Sequence, residues 1–332
     1  MDILKQYYTT VFAQEFSPCG KYLAAGNNYG KIAVFNISSF FIGDDTIQLE
    51  ESRHPMYKFT AHNSSIYALA STDKFLISGG IGNICGWSWN DIKKKEAKVL
   101  WKFTITQGES LTKPEVNSMI INPKNGQMLL YAGCGDNKIY VWDLEHGSLL
   151  RTFEGHTDYI QCVTLSSTGQ ECLSGSEDGS VRLWDARKNG KAAQCVEPYK
   201  YENLHRPRFG KWIGCVALDN NDDWMVCGGG PTLCVWHVRS LSPATPLYTP
   251  DATNSVAIFH DDVIISGGSQ PYVCHWSFGG EIKAEIPTSA SGIYSIAVCA
   301  KSNQKVLSAG GTSHKIDVST NFMYRDFSLI FS

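Results

Sequence analysis

Three side chains near the middle of the sequence could together do hydrolytic chemistry. His156, Ser174 and Asp178 lie in one short stretch. A serine, a histidine to take its proton and an acid to orient the histidine are the parts of a hydrolase nucleophile. The string around the serine, LSGSEDG, is not the G-x-S-x-G turn that exposes such a nucleophile above a sheet. No second stretch repeats the trio, and no oxyanion device is evident. The residues point away from catalysis, and their role depends on the elements that carry them.

The composition describes a folded chain. Of 332 residues, 43% are hydrophobic, 12% aromatic and 18% charged, enough to bury a sizeable core. Thirty glycines and nine tryptophans suggest many tight turns and many aromatic anchors. A net charge of −3 argues against coating nucleic acid or an anionic membrane through the overall field, so any such contact must be local. The eleven cysteines are odd in number, lack a C-x-x-C pair and sit in apolar runs such as IQCVTL and TLCVW. They read as small buried hydrophobes in a reducing compartment, not as disulfides or zinc ligands. The opening MDILKQYYTT lacks the basic and apolar regions of a signal peptide, and no apolar run approaches membrane-spanning length. A cytosolic or nuclear location is expected.

A module recurs seven times: a β-rich run with small residues, a turn, a second β run, then a large anchor. The anchors are Phe35, Trp87, Trp142, Trp184, Trp236, Trp276 and Val318, spaced 40 to 55 residues apart. The short intervals match a four-stranded propeller blade. The long ones call for insertions, at 38–55, 91–115 and 187–211. Runs bounded by Gly, Asn, Asp or Pro, with Asp-Gly or Asp-Asn at reversals, read as strands joined by hairpins. The closing YRDFSLIF alternates well enough to be the outer strand of the seventh module. The expected fold is all-β, a single-domain seven-bladed propeller. Its blades lie near 11–60, 61–106, 116–154, 157–199, 212–249, 253–287 and 292–331, after an N-terminal extension, 1–10.

The fourth module carries Gly155-His156 before its first strand and Trp184-Asp185 at the end of its third, and the chain resembles the WD40 family throughout. That resemblance implies a buried hydrogen-bonded tetrad of His156, Ser174, Asp178 and Trp184. The chemistry suits it: a buried indole N–H needs an acceptor, and a hydroxyl can accept it while donating onward to imidazole. Module two keeps His62, Ser78 and Trp87 without an aspartate. Module three keeps Asp136 and Trp142 without the histidine, and modules five to seven keep anchors or small residues only. The fourth blade is therefore expected to be the most rigid.

Other stretches have plainer readings. GNNYGK at 26–31 has three residues between its glycines where a phosphate loop needs four, and reads as a hairpin. HRPRFGKW at 205–212 interleaves Arg206, Arg208 and Lys211 with Phe209 and Trp212. It is a packed loop, a partner contact or an RNA contact. KKK at 93–95 reads as a solvated loop. SSFFIG at 38–43 is either a binding patch or tucked core.

Five stretches, SPCGKYLAAGNNYGKIAVFNISS, EGHTDYIQCVTL, GKWIGCVALD, DWMVCGGGPTLCVWHV and YRDFSLIF, are similar to the THO complex subunit 6 family of WD40 proteins. The resemblance implies a non-catalytic scaffold in the nuclear THO/TREX assembly, which couples transcription and processing to mRNA export. It further implies contacts with the coiled-coil subunits 5 and 7, indirect RNA association, and no cofactor, metal, membrane or small-molecule substrate. A generic WD40 adaptor, such as a histone-tail reader or a ubiquitin-ligase substrate receptor, fits the fold equally and these stretches less well.

Overall fold

The computed structural model describes residues 2–41, 53–105, 112–123, 127–188, 190–206, 208–249, 252–299 and 305–331. The chain forms seven four-stranded sheets, each built from four strands consecutive in sequence. It is an all-β, seven-bladed propeller, and the helices among the described residues are short. Pairing within each blade is antiparallel, as strands joined by short turns require. Two compact units can be described: residues 1–107 with 271–273 and 285–332, and residues 108–270 with 274–284.

The first unit holds the first and last blades. The first comprises β1 (Val11–Phe16), β2 (Tyr22–Asn27), β3 (Lys31–Asn36) and β4 (Tyr57–Thr60). The last comprises β25 (Ile293–Cys299), β26 (Val306–Gly311), β27 (Lys315–Ser319) and β28 (Phe327–Ile330), so the alternating tail is an outer strand. Val11, Leu23, Phe35, Ile316, Val318 and Leu329 are buried together between these two sheets. Phe40 stacks on Phe327 at 4.1 Å between ring centres, which makes it core. Ile42 and Gly43 of the same run lie outside the described residues. The extension contains a helix, α1 (Asp2–Tyr7), with no apolar periodicity long enough to announce it.

The second unit holds the fourth blade: β13 (Ile160–Leu165), β14 (Glu171–Ser176), β15 (Val181–Asp185) and β16 (Gln194–Val196). Trp184 packs with Tyr131, Phe153 and Val163, while Trp236 packs with Leu183, Val216 and Met225. All eleven cysteines are free. Burial pushes the Cys162 thiol up to about 12, so it behaves as a small hydrophobe.

Three readings need correction. The interval 91–115 is not all insertion. A helix, α2 (Trp89–Lys93), capped by Ser88 Oγ on the backbone N–H groups of Asn90 and Asp91, is followed by β8 (Val99–Thr104), the outer strand of the second blade. The interval 187–211 likewise contains β16 and two 3-10 turns, Pro198–Lys200 and Glu202–Leu204. Most of the third, 38–55, lies outside the described residues, since 42–52 are not described. Val318 is not the positional match of the tryptophans. Ser308 pairs with Val318 across ten residues, whereas Ser174 pairs with Arg182 across eight. The longer β26–β27 hairpin leaves Val318 opposite the serine, instead of two residues beyond it.

Candidate functional site

The fourth blade brings His156, Ser174, Asp178 and Trp184 into one chain of hydrogen bonds. Cys172 pairs with Trp184 across β14 and β15, which sets Ser174 two residues along from the indole's partner. Trp184 Nε1 donates to Ser174 Oγ at 2.8 Å, and Oγ lies 2.8 Å from His156 Nε2. The indole can only donate, so Oγ accepts from it and passes its own proton toward Nε2. The imidazole then carries its proton on Nδ1, which lies 2.8 Å from Asp178 Oδ2. Asp178 also accepts from the backbone N–H groups of Thr157 and Ser180 and from Ser180 Oγ at 2.6 Å. Burial works to raise the Asp178 carboxyl, but the bonds from His156 and Ser180 outweigh it and hold the group well below the usual carboxylate range. Gly179, at φ +88°, gives the hairpin a left-handed residue where an added Cβ would also meet Tyr199 and Lys211 at 2.9 Å.

This is the connectivity of a Ser–His–Asp relay, and its setting differs from an active site. Ser174 is 0% exposed, and its oxygen is already engaged by an indole. An acyl group could reach Oγ only by displacing Trp184.

The same register recurs with fewer members. In the second blade Leu76 pairs with Trp87, and Ser78 Oγ accepts from Trp87 Nε1 at 2.9 Å while lying 2.8 Å from His62 Nε2. Burial pushes His62 below its ordinary value, so the ring is neutral. The sixth blade keeps Ser266 Oγ as acceptor for Trp276 Nε1 at 2.9 Å, a bond the sequence reading missed, although the Ser-to-Trp spacing could have supplied it. In the third blade Asp136 accepts from Tyr140 O–H at 2.6 Å. In the fifth blade Met225 pairs with Trp236, which puts Cys227 where the serine stands elsewhere. Trp236 Nε1 is buried and has no acceptor among the described residues, and the indole meets the Tyr201 ring edge-on at 5.1 Å. The first blade's Phe35 needs no acceptor. In the last blade Asp317 gathers Ser289 Oγ at 2.9 Å and Ser328 Oγ at 2.5 Å, a cluster no residue pattern announced.

The loop 205–212 divides. Arg206 is buried, donates to the Trp212 carbonyl and lies over the Trp212 ring at 5.5 Å, so it pins the loop and does not project from it. Arg208 and Lys211 are exposed, with Lys211 Nζ over the Tyr199 ring at 5.5 Å. Phe209 is half-buried, and its carbonyl accepts from Trp212 Nε1. Lys93, Lys94 and Lys95 are exposed at the end of α2. Among the described residues, no group of His, Cys, Asp and Glu could hold a metal ion.

A family model for the WD domain, G-beta repeat, matches residues 102–143 and 147–185. Each matched segment begins in or just before the outer strand of one blade and ends with the third strand of the next. The THO complex subunit 6 homolog of Danio rerio is 46% identical to the chain over 98% of both lengths. The chain belongs to the THO complex subunit 6 family. The human family member, THO complex subunit 6, is 44% identical over 99% of this chain and 94% of its own, and that of Drosophila melanogaster 36% over 97% and 89%. The family likeness runs through the blades that the repeat match leaves out, including those whose polar networks have decayed.

Proposed function

We propose that this chain is a non-catalytic propeller subunit of a nuclear THO assembly, and that it supports coupling of transcription and processing to mRNA export. The observation that carries this reading is the family likeness over nearly the whole of both chains. The enclosure of Ser174 supports the non-catalytic part, because the one relay-like group is committed to packing. A rigid propeller can seat helical segments of partners without ordering cost of its own. The partners are the coiled-coil subunits 5 and 7, and Arg208 and Lys211 are exposed and available to acidic side chains on such helices. Affinity purification of the tagged chain from nuclear extract, followed by mass spectrometry, is expected to recover THO subunits. Recovery of ubiquitin-ligase or chromatin subunits without them would defeat the reading.

A further inference from the structure

One end of the first unit carries an aromatic surface whose flanking segments hold no acidic residue; Asp317, which accepts from Ser289 of one of them, is buried and paired with Arg325. Phe12, Tyr67 and Tyr294 each follow the buried aliphatic residue, Val11, Ile66 or Ile293, at or just before the start of an inner strand. The first, second and last blades therefore present a ring at one shared position. The same position holds Asn117, Gln161, Gly214 and Ser255 in the other four blades. The Phe12 ring lies 5.6 Å from that of Tyr67 and 5.4 Å from that of Tyr294, and forms the middle of a three-ring run. Tyr294 is 44% exposed, and the other two are half-buried.

The register fixes what lies beside these rings. Val11 pairs with Asn27 and Ile293 with Gly311, so the β2–β3 and β26–β27 hairpins share this end of the sheets. Those hairpins bring Lys31, His314 and Lys315. Helix α1 adds Lys5, whose Nζ lies over the Tyr29 ring at 5.9 Å, and Tyr7, whose ring meets His314 edge-on at 6.5 Å. The segments 4–12, 27–31, 61–67, 80–83, 288–294 and 311–315 contain no Asp or Glu. The matching segments of the third and fourth blades contain Glu115, Asp136, Asp158, Glu177 and Asp178. The carboxyl of Glu15, further along β1, is pushed up to about 8 by burial.

Partly exposed rings in series, flanked by cations and by segments without carboxylates, suit an unpaired polynucleotide: bases stack on the rings and phosphates meet the lysines. We propose that Phe12, Tyr67 and Tyr294, with Lys5, Lys31 and Lys315, form a stacking site for single-stranded RNA. Here the chain departs from the indirect RNA association that the family resemblance implies, and its net charge does not oppose this, because a local surface acts independently of the overall field. The choice of RNA over DNA rests on the proposed THO membership; the stacking chemistry does not.

The test is fluorescence anisotropy of the purified full chain with labelled 12-nucleotide oligo(U), with oligo(dT) and a duplex RNA of equal length as further probes. Saturable oligo(U) binding that duplex RNA does not displace is expected. Tyr294→Ala should weaken it roughly tenfold, and Tyr294→Phe should leave it within about twofold, because the ring face does the stacking. Lys315→Ala should weaken binding at low salt and flatten its salt dependence. Tyr294 and Lys315 are exposed, so both variants fold, and a melting curve checks this. Absence of saturable binding, binding indifferent to Tyr294→Ala, or tighter binding of oligo(dT) than of oligo(U) would each overturn the proposal. Tyr294→Ala losing THO subunits in pull-downs, with oligo(U) binding unchanged, would mark the patch as a protein contact and overturn it too. Failure of the wild-type chain to recover THO subunits bears on the function proposed above, and leaves the oligo(U) result standing on its own.

Discussion

A catalytic serine and a structural one differ in what occupies the lone pairs of the oxygen. Ser174 Oγ accepts from Trp184 and donates toward His156, so its proton and one lone pair are committed inside the blade. Ser174→Ala leaves a buried indole N–H and a buried imidazole nitrogen unpaired, and is expected to cost about 1–3 kcal/mol in urea denaturation. Hydrolysis of a generic ester should stay at background in both proteins; an activity lost at unchanged stability would restore the catalytic reading. The pH dependence follows from Asp178. Its folded value lies below the unfolded one of about 3.9, so its contribution is present above that pH and lost as pH falls through the acid range. Asp178→Asn should be less stable at pH 7 and show less of this acid loss than the native chain. The fifth blade offers the inverse experiment. Cys227 occupies the serine position beneath an indole with no acceptor among the described residues. Cys227→Ser is expected to raise the unfolding free energy by roughly 0.5–1.5 kcal/mol if the missing bond forms. A lowered value would mean that lost apolar packing outweighs the hydrogen bond.

At the scale of strands and blades, legibility followed local chemistry. Hairpins were readable because Gly, Asn and Asp at the reversals are needed for the backbone there, and Gly30 at φ +72° is one case. The fourth blade's network was readable through its resemblance to the WD40 repeat, carried by Gly155-His156 and Trp184-Asp185, and the hydrogen-bonding needs of indole, hydroxyl and imidazole agree with it. The short helices α1 and α2 were not, since five or six residues carry too little periodicity. The aromatic run of Phe12, Tyr67 and Tyr294 was not either, because its members sit in three separate repeats and only the register of the inner strands brings them together. Blades that differ in polar networks should also differ in local opening. Amides of β14 and β15 are expected to exchange with deuterium more slowly than those of β18 (Trp224–Gly228) and β19 (Thr232–His237), where the indole lacks its acceptor. The reverse order would show that apolar packing, and not the tetrad, sets blade stability.

For the molecule as a whole, the consequence of seven sequence-contiguous sheets falls on the first and last blades. Among the described residues, no strand from the start of the chain completes the last sheet, so β1 and β25 are held by side chains and by what lies outside the sheets. Gln14 Nε2 donates to the Ser295 carbonyl at 3.0 Å, and the Ile330 N–H to the Arg53 carbonyl at 2.8 Å. The N-terminal segment adds to this. Asn28 of the β2–β3 hairpin donates through Nδ2 to the Tyr8 carbonyl at 3.1 Å and accepts from the Thr10 N–H through Oδ1 at 3.0 Å. Tyr7 reaches His314 in the last blade. Residues 7–10 therefore contact both sheets and are expected to latch them together. Deleting residues 2–8 removes the bond to Tyr8 and the Tyr7 contact, and is expected to cost on the order of 1–2 kcal/mol. Exchange should quicken in β1 and β25 and stay unchanged in β13 to β15, whose bonds do not involve the segment. Uniform quickening across all these strands would mean that the latch stabilises every blade through one cooperative unit, and no change anywhere would mean that the buried cluster of Val11, Phe35, Val318 and Leu329 suffices by itself.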